Sequence, residues 1–104
     1  MASLEDWKQA LLDSNNQPIF VFKHSTRCSV SMMALRLTQN RWDLPAAAKP
    51  YLLDLLAHRD VSNAISNDIN LEHQSPQLIL IRNEQVVHFA NHGSIDPQDF
   101  TQYI

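Results

Sequence analysis

The 104-residue chain has a single glycine, Gly93, and a single cysteine, Cys28. With one glycine, neither a G-x-G-x-x-G turn nor a P-loop can be written anywhere along it, so glycine-rich phosphate cradles are excluded. One cysteine allows no internal disulfide and no Cys-rich zinc site, which excludes a disulfide-stapled secreted module. No apolar run approaches the length of a membrane span. The first residues, Met1 to Trp7, lack the basic-then-apolar layout of a signal peptide, so a cytoplasmic protein with no membrane partner is expected. Positive charge is also scarce: 8 Lys+Arg against 11 Asp+Glu give a net charge of −3. Lys23, Arg27, Arg36, Arg41 and Lys49 form no dense run, which argues against nucleic acid as a partner, because phosphate neutralisation needs a clustered basic surface.

What is present is an ordinary globular composition, 44% hydrophobic and 18% charged, in a length that suits one domain over residues 1–104. Ser3 reads as a helix N-cap with Asp6 three residues on, and Leu4, Trp7, Leu11 and Leu12 recur at helical spacing as a buried stripe. After the turn Asn15 to Pro18, the segment Ile19 to Phe22 is too continuously apolar for a surface strand and suits a central one covered on both faces. A second helix runs from about Cys28 to Asn40, with Met32, Leu35 and Met33 as its buried face. Trp42, Leu44 and Pro45 lie in the connection, and Ala46 to Ala48 fit either a loop or a last helical turn. Tyr51 to Leu55 reads as the second strand. Ser62 is expected to cap a third helix whose apolar face is Ala64, Ile65 and Ile69. Leu78 to Ile81 and Val86 to Phe89 form a hairpin across Asn83 to Gln85. Asp96 caps a last helix with Pro97 in first position, docked by Phe100 and Tyr103. The order is therefore α/β: a mixed four-stranded sheet with helices on both faces. That layout fits a thioredoxin fold and other small α/β arrangements; the later Ser75-Pro76, paired with the cysteine turn, selects the thioredoxin fold.

The chemistry sits in His24 to Ser31. Cys28 stands between a strand and a helix start, where unpaired N–H groups and the helix dipole stabilise a thiolate. Ser31, one turn later, can aim its hydroxyl at the sulfur; Arg27 adds positive charge, and Lys23 and His24 could do so if their side chains turn that way. A lone cysteine is often a buried, inert thiol. The polar neighbours Thr26, Arg27, Ser29 and Ser31 argue instead for partial exposure and a nucleophile. Two-cysteine oxidoreductases hold their resolving thiol where Ser31 stands, and a serine cannot resolve a mixed disulfide. Any redox cycle must take its second thiol from a partner, a small thiol in solution being the natural one. Pro76, directly before a buried strand, donates no hydrogen bond and leaves an open backbone edge.

The T-x-C-x-x-S turn of Thr26, Cys28 and Ser31, preceded by Phe22 to Ser25, together with Val61 to Asn63 and His73 to Gln77, resembles the YtxJ-like monothiol bacilliredoxins over nearly the whole chain. The resemblance implies a thioredoxin fold and removal of bacillithiol from protein mixed disulfides. Cys28 matches the nucleophile, Ser31 the serine in the second-cysteine place and Pro76 the cis-proline; Thr26 and Ser75 match the flanking positions. The backbone before that proline pairs with an extended substrate in such folds, which makes Thr26, Arg27, Ser75 and Pro76 the expected substrate-binding residues. S-thiolated proteins are the implied partners and a small thiol, bacillithiol, the co-substrate, with no bound cofactor.

The histidines His24, His58, His73, His88 and His92 show no H-x-x-x-H pair on a clear helix, so no metal site is expected. His24 and His73, which lie in the two motif blocks, could tune the thiolate. Trp7 and Trp42 read as core or groove anchors, and Asp54 as a carboxylate facing water at its strand end rather than a buried proton carrier. Two other functions compete with exchange. One is a non-catalytic thioredoxin-like binding module in which Cys28 is incidental. The other is iron–sulfur binding across a dimer, disfavoured because Ser29 and Val30 stand where monothiol glutaredoxins carry Gly and Phe.

Overall fold

The computed structural model describes residues 1–25, 29–40 and 49–103. Helix α1 spans Leu4–Asp13, strand β1 Ile19–His24, helix α2 Ser29–Asn40, strand β2 Lys49–Asp54 and helix α3 Arg59–Asp68. Strands β3, Gln77–Arg82, and β4, Gln85–Asn91, follow, and two 3₁₀ segments close the chain at His92–Ser94 and Pro97–Tyr103. The connection holding Trp42, Leu44, Pro45 and the alanine run lies outside the described residues.

The strands form one sheet in the order β2-β1-β3-β4. β1 is parallel to β2 and antiparallel to β3, and β3 makes the hairpin with β4. The turn between them is tight: Asn83 and Glu84 both have positive φ, at 53° and 61°, the geometry that matches the twist of paired strands. All six residues of β1 are buried, as expected of an apolar central strand. Because successive side chains alternate, Ile19 and Val21 face a core built with Trp7, Ala10, Val61 and Ile65 of α1 and α3. Phe20 and Phe22 face the opposite core with Ala34 of α2, Ile95 and Phe100.

Local signals locate the ends of α1. Ser3 Oγ accepts the Asp6 N–H at 3.1 Å, and Asp6 in turn accepts the Ala2 N–H at 2.9 Å, which holds its carboxyl below the ordinary value. The buried stripe, however, is Trp7 and Ala10, whereas Leu4 and Leu12 are exposed. Leu11 is partly buried against the same core, so the stripe runs through Trp7, Ala10 and Leu11 and leaves Leu4 and Leu12 to either side. α2 differs in part: Leu35 packs against the core as expected, but Ala34 and Thr38 are the buried residues, while Met32 and Met33 face solvent. Small residues let this helix approach the sheet. Ser62 is not a cap. α3 starts after His58, which makes no side-chain capping bond, and Ser62 lies inside the helix on its buried face. The final segment, docked by the fully buried Phe100, is 3₁₀ rather than α-helical. Asp96 Oδ1 accepts the Gln98 N–H at its start.

Ile79, fully buried in β3, and Met33, exposed on α2, set opposite expectations for stability. Ile79→Ala should cost about 2–5 kcal/mol and Met33→Ala less than about 0.5 kcal/mol in urea unfolding.

Candidate thiol-exchange site

β1 ends at His24 and α2 begins at Ser29, so Cys28 directly precedes the helix in sequence. Thr26, Arg27 and Cys28 themselves lie outside the described residues. Ser31 falls in the first turn of α2, a turn that carries no acidic residue to oppose a nearby anion. Lys23 pairs with Gln77 across the antiparallel β1–β3 ladder, which brings the residue before Gln77, Pro76, to the sheet end where β1 stops. The Ser75–Pro76 peptide bond is cis, and Pro76 is buried. The Ser75 hydroxyl is buried and has no hydrogen-bond partner among the described residues. Two of the expected substrate-binding residues, Ser75 and Pro76, thus stand at the sheet end from which the cysteine turn departs.

The segment Glu72–Pro76 is tied down from three sides. At the end of α3, Asn70 adopts φ 52° and the Leu71 N–H reaches back to the Ser66 carbonyl, a six-residue closure that reverses the chain. That reversal returns His73 to α3, where its Nδ1 lies 3.2 Å from Ser62 Oγ. From the sheet, the fully buried Gln77 donates its side-chain amide to the Glu72 carbonyl at 3.2 Å and to Asn91 Oδ1 at 2.9 Å. From the far side, the His92 N–H donates to the Pro76 carbonyl at 2.8 Å, and its ring Nε2 lies 3.0 Å from Gln74 Oε1. His92 itself has φ 52°, an unusual conformation for a side-chain-bearing residue and one that aims its N–H at Pro76.

The least expected member of this cluster is Lys23. Its side chain points away from α2 and toward α3, and it is wholly buried. Nζ donates to Ser66 Oγ at 2.9 Å and the Ser62 carbonyl at 3.4 Å, and lies 3.4 Å from His73 Nδ1. An ammonium has three N–H donors, and three acceptors surround it. Among the described residues no carboxylate pairs with it, and burial pushes its pKa down from 10.5 to about 8. Burial, then the positive charges of Lys23 and Arg59, hold His73 below the usual imidazole value. The Lys23 ammonium has only hydrogens to offer, so in their contact His73 Nδ1 is the accepting side.

The other singled-out residues are engaged elsewhere. His24 is buried on the α2 face, its ring centroid 6.3 Å from that of Phe22. His88 stacks on Tyr103 at 4.5 Å and meets the edge of Phe100 at 4.7 Å. Trp7 donates its indole N–H to Asp68 at 2.8 Å. Asp54 Oδ1 accepts the Leu56 N–H just past its strand. Among the described residues no group of three or more His, Cys, Asp or Glu side chains could hold a metal, and no helix is long and apolar enough to cross a membrane. Sequence reasoning had Lys23 as a charge that could turn toward the thiol; its burial had a signal in the lysine that continues the apolar run Ile19 to Phe22 without a break.

A parallel–antiparallel four-stranded sheet with helices on both faces and a proline opening β3 is a thioredoxin fold. Solved structures agree. A protein described as an oxidoreductase with a thioredoxin fold superimposes with a TM-score of 0.83 and 27% identity, covering 99% of this chain and 89% of its own. The thioredoxins of Malassezia sympodialis (TM-score 0.70, 17% identity, 98% and 83% covered) and Fasciola hepatica (0.74, 10%, 97% and 90%) share the fold. Fold and family define a thiol oxidoreductase. The chain belongs to the monothiol bacilliredoxin BrxC family, whose model matches residues 1–100.

The Lys23 environment has a measurable signature. An amine whose folded pKa is lowered binds fewer protons folded than unfolded between about 8 and 10.5. Stability therefore rises with pH across that window, by on the order of 2 kcal/mol between pH 8 and pH 10. Urea unfolding of Lys23→Met at both pH values should lack this rise.

Proposed function

We propose that this protein is a monothiol disulfide oxidoreductase that removes bacillithiol, or a similar low-molecular-weight thiol, from protein mixed disulfides. The observation that carries the proposal is the register of β1 on β3. It sets the edge before Pro76 beside the end of the strand that leads to the chain's one cysteine. The family match supports the choice of thiol system.

In this mechanism the Cys28 thiolate attacks the bacillithiol sulfur of a protein–bacillithiol disulfide. The old S–S bond breaks as the new one forms, and the protein thiolate leaves and takes up a proton. Cys28 now carries the bacillithiol. A second low-molecular-weight thiol, as thiolate, attacks that sulfur, freeing Cys28 and releasing a small-molecule disulfide. Each exchange breaks one S–S bond and forms another, so the number of disulfides is conserved, and the two electrons that reduce the protein mixed disulfide come from the small thiols. Ser31 cannot supply that second thiol, which is why the cycle needs a partner from solution. The α2 N-terminus, with no carboxylate in its first turn, favours the thiolate. In this reading Thr26, Arg27, Ser75 and Pro76 are the residues that bind the substrate. A cytoplasmic setting, where free thiols persist, suits this chemistry.

Incubating the reduced protein with a bacillithiolated model protein should move bacillithiol onto Cys28, read by intact-protein mass spectrometry. Cys28→Ala should abolish transfer, and Pro76→Ala should slow it about tenfold with the domain still folded. Folded wild-type protein that accepts neither bacillithiol nor glutathione would overturn the proposal and leave a non-catalytic binding module. Running the glutathione mixed disulfide in parallel identifies the preferred thiol.

A further inference from the structure

We propose that Lys23 is a positioning residue of the exchange site: its buried amine, through His73, holds the Glu72–Pro76 segment in the place where a protein substrate's backbone must lie. The proposal rests on the exchange function above and adds to it a residue that never meets the sulfur.

The geometry is specific. Lys23 lies on the α3 face of β1, the face opposite the α2 core, because side chains alternate along the strand. Its cross-strand neighbour Gln77 shares that face. Lys23 meets His73 Nδ1 at 3.4 Å, and Gln77 holds the Glu72 carbonyl at 3.2 Å. The two paired residues therefore grip two consecutive positions of the same segment, three and four residues before Pro76. Lys23 and Gln77, the sheet ends of the two grips, are fully buried, where an unmet polar group is costly, while Glu72 and His73 lie at the surface, so an exposed segment is anchored on two buried side chains. Lys23 also spans elements: one amine joins β1, through Ser66 and the Ser62 carbonyl, to α3, and through His73 to the segment. An apolar strand end could fill the space, but it could not fix the direction in which His73 faces. Within the held segment the Ser75 hydroxyl is buried with no hydrogen-bond partner among the described residues.

The consequence is selective. A protein mixed disulfide needs the backbone edge before Pro76, whereas a small disulfide needs only the thiolate. Lys23→Met should lower kcat/KM about tenfold with the bacillithiolated model protein. Its rate with a nitrobenzoate disulfide, whose released thiolate is coloured, should stay within about twofold of wild type. Hydrogen exchange at the His92 amide, bonded to the Pro76 carbonyl, should speed up in the variant while the β1 amides stay protected. His73→Leu should behave like Lys23→Met, and His73→Asn, which keeps an acceptor near Nδ1, should restore most of the rate. An equal loss with both disulfides, or no loss with either, overturns the positioning role. Wild-type protein that exchanges with neither substrate refutes the exchange function itself, a different result from wild-type transfer that Lys23→Met leaves unchanged.

Discussion

A lysine buried at the end of a central strand must be given acceptors, and the contacts between β1, α3 and the segment before β3 answer that demand. Burying an amine without hydrogen bonds would cost several kcal/mol. Ser66, the Ser62 carbonyl and His73 meet the cost, and to do so they bind α3 and the segment before β3 to β1. Replacing such a cluster with hydrocarbon is often neutral or stabilising in proteins. Three acceptors around one nitrogen permit few arrangements, so the cluster constrains direction as well as position.

The hydrophobic framework makes this possible. Two cores, one on each face of the sheet, cover Ile19 to Phe22, and all six residues of β1 are buried. The apolar face formed with α1 and α3 gives way at the end of β1 to the polar group of Lys23, Gln77, His73 and the two serines. The site end of the sheet is thus polar beneath as well as at its surface. On the opposite face Phe20, Phe22 and Ala34 seat α2, whose first turn begins directly after Cys28.

Much of the fold was legible from residue order alone. The Ser3 cap, the apolar runs at Ile19 and Leu78, and the hairpin across Asn83 all carry local signals, and each element formed where its signal lay. Where helices met the sheet, local pattern was a poorer guide. Met32 and Met33 are apolar yet exposed, because close packing of α2 selected Ala34 and Thr38. Ser62 has the residue type of a cap, but its hydroxyl serves His73. Of the expected site, Ser75 and Pro76 stand at the sheet end where β1 stops. The contacts of Lys23 with His73, of Gln77 with Glu72 and of His92 with Pro76 join positions far apart in the chain or across a turn, and no local pattern names those partners.

The sequence by itself determined the chemical limits of this protein. One cysteine followed by a serine in the resolving place can begin a disulfide exchange but cannot complete one, whatever the fold. The sequence also determined the order of strands and helices, since periodicity and caps act over a few residues. Only the tertiary structure decided that Lys23 would turn from the α2 face to meet His73, 50 residues away. Strand register sets such contacts: pairing Lys23 with Gln77 brings Pro76 to the end of β1, and a slip of one residue would turn every side chain to the other face.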